Sequence, residues 1–579
     1  MQPPISLINL FERQRLTPFR RILLKFLDKL LGIAKMNRLY LQHDMQGLSK
    51  EAFADRLIEL LEINVEGEQA LLERIPKTGP VMIASNHPFG GIEGVILARA
   101  ISKVRPDLKV LANQGLRIFK ELEPYFIFTN PLSENDPKNA PSLRQCLRHM
   151  KAGNALLMFP AGRVSYYQAA KQRIAEHSWN RIVAKLCRQQ DCHYVPVYVS
   201  GTNSVWFYRL GRIYYRLRLL MLARELLNKT GTTIRLDCGY PVPGTKVESA
   251  EHCRALSYAQ QRNWHSDWPA DTVTEMKAIA DPIASDVLTS ELDALPTEQH
   301  LLTHKGYDIF FAYQHQAPKI VREIARLREL VFREHNEGSG EPVDTDQFDA
   351  TYTHLFVIDK EANEIVGAYR MGQTDKLLTD GNLNNLYLNK MFDFGPTFVN
   401  RTSPCLEMGR SFLIPRLQRS HVGLFLLWRG IGAFVCRFPQ YRTLYGTVSI
   451  SKLYDPRSVQ LIQQAYVQLG ADVSARNPFT KSVQPEITEF AVGEALQSYL
   501  TAFLKSLEQD GKDIPVLLKQ YHKLGARFHC LGIDKSFNHT PGLLLSVNLP
   551  AAPQKLLKLY LSDGAKDYLE YSSNAPSNN

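Results

Sequence analysis

Asn86-His87-Pro88-Phe89-Gly90-Gly91-Ile92-Glu93-Gly94 decides how the first half of this 579-residue chain is read. The apolar run before it, Val81-Met82-Ile83-Ala84-Ser85, has the length and composition of a buried strand. The run after it, Val95-Ile96-Leu97-Ala98, has helical character. The segment is therefore a strand–turn–helix junction that delivers one histidine and one carboxylate into a glycine-rich turn. A histidine acting as a base needs a partner to fix its tautomer and orientation, and a nearby carboxylate supplies one. His87 and Glu93 are the candidate catalytic pair. Gly90 and Gly91 are candidates for closing the spacing between them and for lining a substrate site.

Working outward, Phe159-Pro160-Ala161-Gly162-Arg163-Val164-Ser165 adds a Gly–Arg turn. Gly162 permits close backbone approach, and the planar guanidinium of Arg163 suits an anionic headgroup. Strand candidates at 108–112, 156–159, 194–199 and 232–236 alternate with helical stretches, as in α/β proteins. Together the two blocks resemble the glycerolipid acyltransferase superfamily, whose members carry His-x-x-x-x-Asp and Phe-Pro-Glu-Gly-Thr-Arg. The Val195-Pro196-Val197 strand is a further block of that superfamily, in the expected order. Two departures matter: the acid is Glu93, displaced by one residue, and Ala161 stands where a Glu helps bind glycerol phosphate. The resemblance implies an α/β acyltransferase domain with His87 as base, Glu93 as its partner, and an acceptor other than glycerol phosphate. It requires no metal. The Asn-His-Pro-x-Gly-Gly-x-acid-Gly form is similar to a branch that acylates ornithine lipids.

The second half carries three separated blocks. The first is 323–333, followed by Asp344, Asp346, Phe348 and Asp349. The second is His354-Leu355-Phe356-Val357 with Ile365-Val366-Gly367-Ala368-Tyr369-Arg370. The third is Leu406-Glu407-Met408-Gly409-Arg410-Ser411-Phe412, then 426–431 and 446–451. Over 305–550 these resemble the acyl-carrier-protein-dependent N-acyltransferases that make lyso-ornithine lipid, relatives of the acyl-homoserine-lactone synthases with a GNAT-like mixed sheet and helices. That fold opens a V between neighbouring strands, where an acyl thioester meets an incoming amine. The amine must lose a proton, and Glu407 is the candidate to help; its alternative role is an ion pair with Arg410. Arg410 is a candidate ligand for the amino-acid carboxylate or the carrier's phosphate. Asp344, Asp346 and Asp349 form either a seat for the ornithine side-chain ammonium or a solvated acidic loop. Arg328 and Arg370 are candidates for meeting the acidic carrier, or surface residues. The coenzyme A pyrophosphate pattern, Arg/Gln-x-x-Gly-x-Gly/Ala, is not evident at 415–423, so a phosphopantetheine thioester on acyl carrier protein is the expected donor, with no separate cofactor.

Length alone calls for more than one core. Hydrophobic content of 44% and charged content of 22% are those of a globular protein. Residues 1–250 hold 36 Lys and Arg against 21 Asp and Glu, whereas 251–579 hold 33 against 37. A basic half calls for an anionic partner. Long apolar side chains interleave with these basic residues and no nucleic-acid motif accompanies them, so an anionic membrane surface and the carrier are expected and nucleic acid is not. The stripe Leu16, Phe19, Ile22, Leu23, Phe26, Leu27, Leu30, Leu31, flanked by Arg20, Arg21, Lys25 and Lys29, is either an interfacial membrane helix or a helix packed on its own domain. A second such stretch covers 205–229, with Trp206, Phe207, Tyr208, Tyr214 and Tyr215 among Arg209, Arg212, Arg216 and Arg218. No run of apolar residues is long enough for a transmembrane helix, and the Met1-Gln2-Pro3-Pro4 start has no signal-peptide pattern. The eight cysteines show no Cys-x-x-Cys pair, and reduced thiols in a reducing cytosol are expected.

These observations give a five-part organisation: a membrane-associating segment at 1–45, an O-acyltransferase domain at 46–245, a proline-interrupted linker at 246–304, an N-acyltransferase domain at 305–550 and a tail at 551–579 with a disordered end. The resemblance implies a bifunctional enzyme at the cytoplasmic face of a bacterial inner membrane. Its second domain would N-acylate ornithine with a 3-hydroxyacyl group, and its first would esterify that hydroxyl on the lyso-ornithine lipid. The same two steps on glycine, glutamine or lysine, a lysophospholipid or 1-acylglycerol-phosphate acyltransferase, and a non-catalytic membrane-binding effector are the alternatives.

Overall fold

The computed structural model describes residues 6, 8, 17–113, 116–117, 119–129, 139–189, 192–214, 218, 220–264, 268–271, 275–400, 403–418, 420–468, 472–479 and 484–571. The chain forms two units. Residues 1–264 make the first, joined by 483–492 and 501–512; the remainder makes the second.

Strands of the first unit are β1 (Asn64–Glu66), β2 (Val81–Ser85), β3 (Lys109–Asn113), β4 (Phe126–Thr129), β5 (Ala155–Met158), β6 (Tyr166–Gln168), β7 (Arg173–Ala175), β8 (His193–Val199), β9 (Thr233–Cys238) and β10 (Val242–Pro243). The main sheet has the order β1-β9-β8-β2-β5-β3-β4, with β10 on β8. From β8 to β4 the strands are parallel, and β9 runs antiparallel to β8. Every residue of β2 and β5 is buried, which is why both read as unbroken apolar runs: helices cover both faces of a parallel sheet. Because β2 and β5 are neighbours and parallel, the loops leaving their carboxyl ends emerge side by side. One loop starts with Asn86-His87 and the other with Phe159, so motifs far apart in sequence meet at one sheet edge. The hairpin β6–β7 follows the second motif.

The helix Pro18–Leu30 begins at Thr17, whose side chain accepts from the Arg20 N–H. Its apolar stripe faces outward: Phe19 is 76% and Phe26 61% exposed, with Ile22, Leu23 and Leu30 also exposed. The stretch after β8 is a helix, Val205–Ile213, followed by an extended Tyr214 and the helix Leu222–Leu227. Val205, Trp206 and Ile213 are exposed while Phe207 and Tyr208 are buried. Leu16, Tyr215, Arg216 and the end of the tail, 572–579, lie outside the described residues. Among the described residues no helix is long and apolar enough to cross a membrane.

The expected linker is corrected in part. Ala250–Ala259 is a helix buried at all but one position, and Tyr194 Oη donates to the Cys253 carbonyl at 2.8 Å. Chain returning from beyond residue 480 covers it: Phe490 stacks on His252, and Gln260 Nε2 donates to Ser506 Oγ at 3.0 Å. The expected tail is likewise core up to Glu570, since Leu557, Leu561 and Tyr568 are buried in the helices Gln554–Leu561 and Ala565–Glu570.

Strands of the second unit are β11 (His300–His304), β12 (Tyr307–Tyr313), β13 (Thr353–Asp359), β14 (Glu364–Gln373), β15 (Phe392–Phe394), β16 (Cys405–Leu413), β17 (Thr443–Ser449), β18 (Val473–Ala475), β19 (Arg527–Asp534) and β20 (Thr540–Asn548). Eight of them form one sheet, β11-β12-β13-β14-β16-β17-β20-β19. It is antiparallel except where β16 and β17 run parallel. The long helices Pro318–Arg333 and His421–Arg437 pack on it. The chain is thus a two-domain α/β protein with mixed sheets, the fold class the sequence implies.

Candidate active sites

In the first unit, the His87 backbone is held from both sides. Its N–H donates to Glu176 Oε1, and its carbonyl accepts from the Ser165 N–H at 3.0 Å. Asn86 pins the turn to β8 by exchanging two hydrogen bonds with the Val199 backbone, at 2.8 and 2.7 Å. The His87 ring packs 4.7 Å from the Phe159 ring, joining the two motifs. Glu93 sits fully buried in the first turn of the helix Ile92–Ser102, where the exposed N–H groups and the helix dipole favour an anion. Its carboxylate accepts from the N–H groups of Phe89, Gly90 and Gly91, each at 2.9 Å, and Oε1 lies 2.9 Å from His87 Nδ1. Burial works against the charge, but His87 and these donors prevail and hold the Glu93 carboxyl down at about 2. Burial likewise favours a neutral imidazole, yet the charge and hydrogen bond of Glu93, with Glu176 behind it, raise His87 above its ordinary value. With Nδ1 turned to Glu93, Nε2 is left for proton transfer.

Gly90 has φ +96°, and a Cβ there would stand 2.6 Å from Val164 and 2.7 Å from Leu222. That left-handed turn is what brings Glu93 back to His87. Gly91 is extended, with open space around it. Both glycines line the same cavity as His87, and their N–H groups are given to Glu93.

His87, Gly162 and Arg163 line one cavity of about 980 Å³. Its walls are mostly apolar, among them Phe53, Leu57, Val95, Leu111, Leu143 and Met158. His177 joins Arg163 there, its imidazole pushed down to about 4 by burial and by Arg163 and Arg218. A base lining an apolar cavity, with the Arg163 guanidinium beside it, suits transfer of a long acyl chain to an anionic acceptor. Glu176 is the residue that sequence reasoning missed: buried, it accepts from Trp179 Nε1 at 2.9 Å as well as from His87, and burial pushes its carboxyl up to about 7.

In the second unit, β16 and β17 pair only from Cys405–Thr443 to Met408–Gly446, and the strands part beyond that point. On the other side of β16 the register with β14 shifts between Ala368 and Arg370, and Arg410 takes φ +50° within this bulge. A left-handed, non-glycine backbone costs about 1–3 kcal/mol, and such strain gathers at functional sites. The cavity in this V, about 100 Å³, is lined by Glu337, Glu407, Arg410, Asp534 and several tyrosines.

The acidic triplet and its arginines form a buried ion network. Arg328 Nε lies 2.8 Å from Asp344 and its Nη1 3.2 Å from Asp349. Arg370 lies 2.6 Å from Asp346 and 3.0 Å from Asp349, and Arg410 lies 3.4 Å from Asp344. This corrects three expectations. Arg328 and Arg370 are 1% and 2% exposed, so neither meets a carrier protein. Asp344, Asp346 and Asp349 are neither a solvated loop nor open to a substrate ammonium, because three guanidiniums neutralise them. Glu407 is not the ion partner of Arg410. It accepts from Tyr352 Oη at 2.8 Å, Tyr445 Oη at 3.1 Å and the Leu388 N–H at 3.2 Å, with burial raising its carboxyl.

A tethered histidine at an apolar cavity, in one chain with a parted-strand cavity, suits acyl transfer. Residues 36–264 match the family described as Acyltransferase, and residues 327–429 match the Acetyltransferase (GNAT) domain. A glycine N(alpha)-acyltransferase of Phocaeicola vulgatus is 30% identical over 297 residues, covering 47% of this chain and 90% of that protein. A lyso-glycine lipid O-acyltransferase of the same organism is 28% identical over 198 residues, covering 33% of this chain and 68% of that protein. Among solved structures, a CoA-dependent acyl-homoserine lactone synthase matches at 12% identity with a TM-score of 0.23, over 46% of this chain and 96% of that one. The chain belongs to the acyltransferase family represented by the first of these relatives.

Proposed function

We propose that the chain makes a two-chain amino-acid lipid in two steps. The second unit transfers a 3-hydroxyacyl group from acyl carrier protein to the α-amine of an amino acid. The first unit then esterifies the 3-hydroxyl of that lyso-lipid. In the ester step His87 Nε2 takes the hydroxyl proton as the oxygen attacks an acyl thioester, and Glu93 stabilises the imidazolium that forms. The proton then passes to the departing thiolate. The observation that carries the reading is the 2.9 Å His87–Glu93 contact at a cavity walled by apolar side chains. The two relatives support it further, because their names describe the two successive activities.

Glycine is the leading acceptor. The relatives are named for it, and the aspartates that would have held an ornithine side chain are taken by arginines. Ornithine is the second reading, favoured by Asp534, a carboxylate on the cavity wall whose Oδ2 keeps one accepting site beside its bond from Tyr387 Oη. The outward-facing stripe of the helix Pro18–Leu30 and the basic character of the first half support peripheral binding to an anionic membrane, where the lyso-lipid resides. Fusion would raise the local concentration of the intermediate at the second site. Purified protein given 3-hydroxyacyl carrier protein and either glycine or ornithine tests the acceptor. Mass spectrometry should find the N-acyl product of glycine; exclusive N-acylation of ornithine would reverse the order, and no amide with either would refute the N-acyl step.

A further inference from the structure

We propose that Glu337 is the base that takes the proton from the amino-acid ammonium in the second unit. The inference rests on the N-acyl reading above and assigns a group to its central step. Glu337 follows the helix Pro318–Arg333 and is buried. It is anchored at the end of β17, where Ser449 Oγ donates to its Oε2 at 3.0 Å. Ser449 lies past Gly446, on the part of β17 that has parted from β16. Glu337 therefore faces the V, lining the cavity together with Gly409 and Arg410 of one strand and Thr447 of the other.

Three carboxylates line this cavity, and their remaining capacity to accept a proton differs. Glu407 already accepts three hydrogen bonds. Asp534 accepts from Tyr387 Oη and from the N–H and Oγ of Ser536. Glu337 accepts one among the described residues, which leaves most of its lone-pair sites for a substrate. Arg410 is the cation that acts on it, and Arg410 Nε makes no hydrogen bond among the described residues. An amino acid bound by its carboxylate at Arg410 would carry its nitrogen only two bonds away, within the same small cavity. Burial, set against Ser449 and Arg410, pushes the Glu337 carboxyl up to about 7, which suits a base that must be charged before the reaction and neutral after it.

The step balances as follows. One ammonium proton moves to the Glu337 carboxylate, and the freed lone pair forms the N–C bond at the thioester carbonyl. The C–S bond breaks with its electron pair on sulfur, a second nitrogen proton passes to that thiolate, and amide and free thiol leave. Glu337 then returns its proton to water.

The test is steady-state N-acylation of glycine by the full-length protein with 3-hydroxyacyl carrier protein, for wild type, Glu337→Gln and Glu337→Asp, across pH, with a melting curve for each. Glu337→Gln should lower kcat on the order of 100-fold or more while leaving KM for glycine little changed. Wild-type kcat should fall below a pH of about 7, and that limb should vanish in Glu337→Gln. Arg410, Glu407, Asp534 and Tyr387 share the cavity and remain in every variant, so a limb due to one of them would persist. Glu337→Asp should restore part of the rate. Wild-type kcat in Glu337→Gln, or a lost rate with the acid limb intact, would overturn the assignment. A wild type that forms no amide with either glycine or ornithine would instead remove the N-acyl reading itself.

Discussion

Replacing Glu93 by Gln keeps the shape of the side chain and removes only its charge and half its accepting capacity. The carboxylate receives three backbone N–H groups and faces His87 Nδ1. An amide oxygen can serve one side of that array, and its NH₂ must then face either the Gly91 N–H or the imidazole. The first arrangement buries a donor against a donor. The second sets the NH₂ against the Phe89 and Gly90 N–H groups, makes Nδ1 an acceptor and puts the ring proton on Nε2, the tautomer that cannot act as base. A carboxyl held at about 2 against an ordinary 4.5 reflects about 3 kcal/mol of preference for the anion, and this is the stability at stake. Because the folded value lies below the unfolded one, wild type gains that stability above pH 4.5 and loses it as pH falls towards about 2. Glu93→Gln should melt lower at pH 7 and lose part of the acid sensitivity of wild type. Ester formation from a lyso-lipid and an acyl thioester should fall on the order of 10³–10⁴ in kcat, as expected when a catalytic imidazole is left in the wrong tautomer. Wild-type ester formation by a folded Glu93→Gln would refute the assignment of Glu93 as the partner of His87.

Three further outcomes follow from the geometry. Gly90→Ala forces a side chain onto φ +96° and into contacts of 2.6 and 2.7 Å, so stability should fall by about 1–3 kcal/mol, read from denaturant unfolding of the protein. Arg328→Met leaves Asp344 and Asp349 short of a buried partner and should cost about 3–5 kcal/mol in the same measurement; loss of carrier binding without loss of stability would contradict its interior role. Phe26→Asp places a charge on the exposed stripe of Pro18–Leu30 and should weaken cosedimentation with anionic vesicles while leaving acylation of a micelle-free, short-chain acceptor unchanged; equal vesicle binding would remove that helix from the membrane surface.

The His87–Glu93 site was legible because its parts are local. A buried strand, a glycine turn and a helix start lie within one short stretch, and the turn geometry that Gly90 permits joins base and acid. Arg163 was picked out by its Gly–Arg turn; that it meets His87 follows from the parallel pairing of β2 with β5, which the sequence does not state. Glu176 was not reachable. It comes from beyond the β6–β7 hairpin to bind a backbone N–H 89 residues away, and nothing around it in sequence marks that role. The arginine–aspartate network was misplaced for a different reason. Charged residues belong at the surface unless each is compensated, and the compensation here comes from a helix, a loop and two strands at once. The helix Ala250–Ala259 was hidden because its burial depends on Phe490 and Ser506, contributed by chain that returns long afterwards.

The most direct test of the two-step account is mass spectrometry of lipids from a bacterial host that makes no amino-acid lipid, expressing wild type or His87→Ala. Wild type should yield an amino-acid lipid with two acyl chains, and His87→Ala should accumulate the one-chain N-acyl form. A two-chain lipid from His87→Ala, or no amino-acid lipid from wild type, would contradict it.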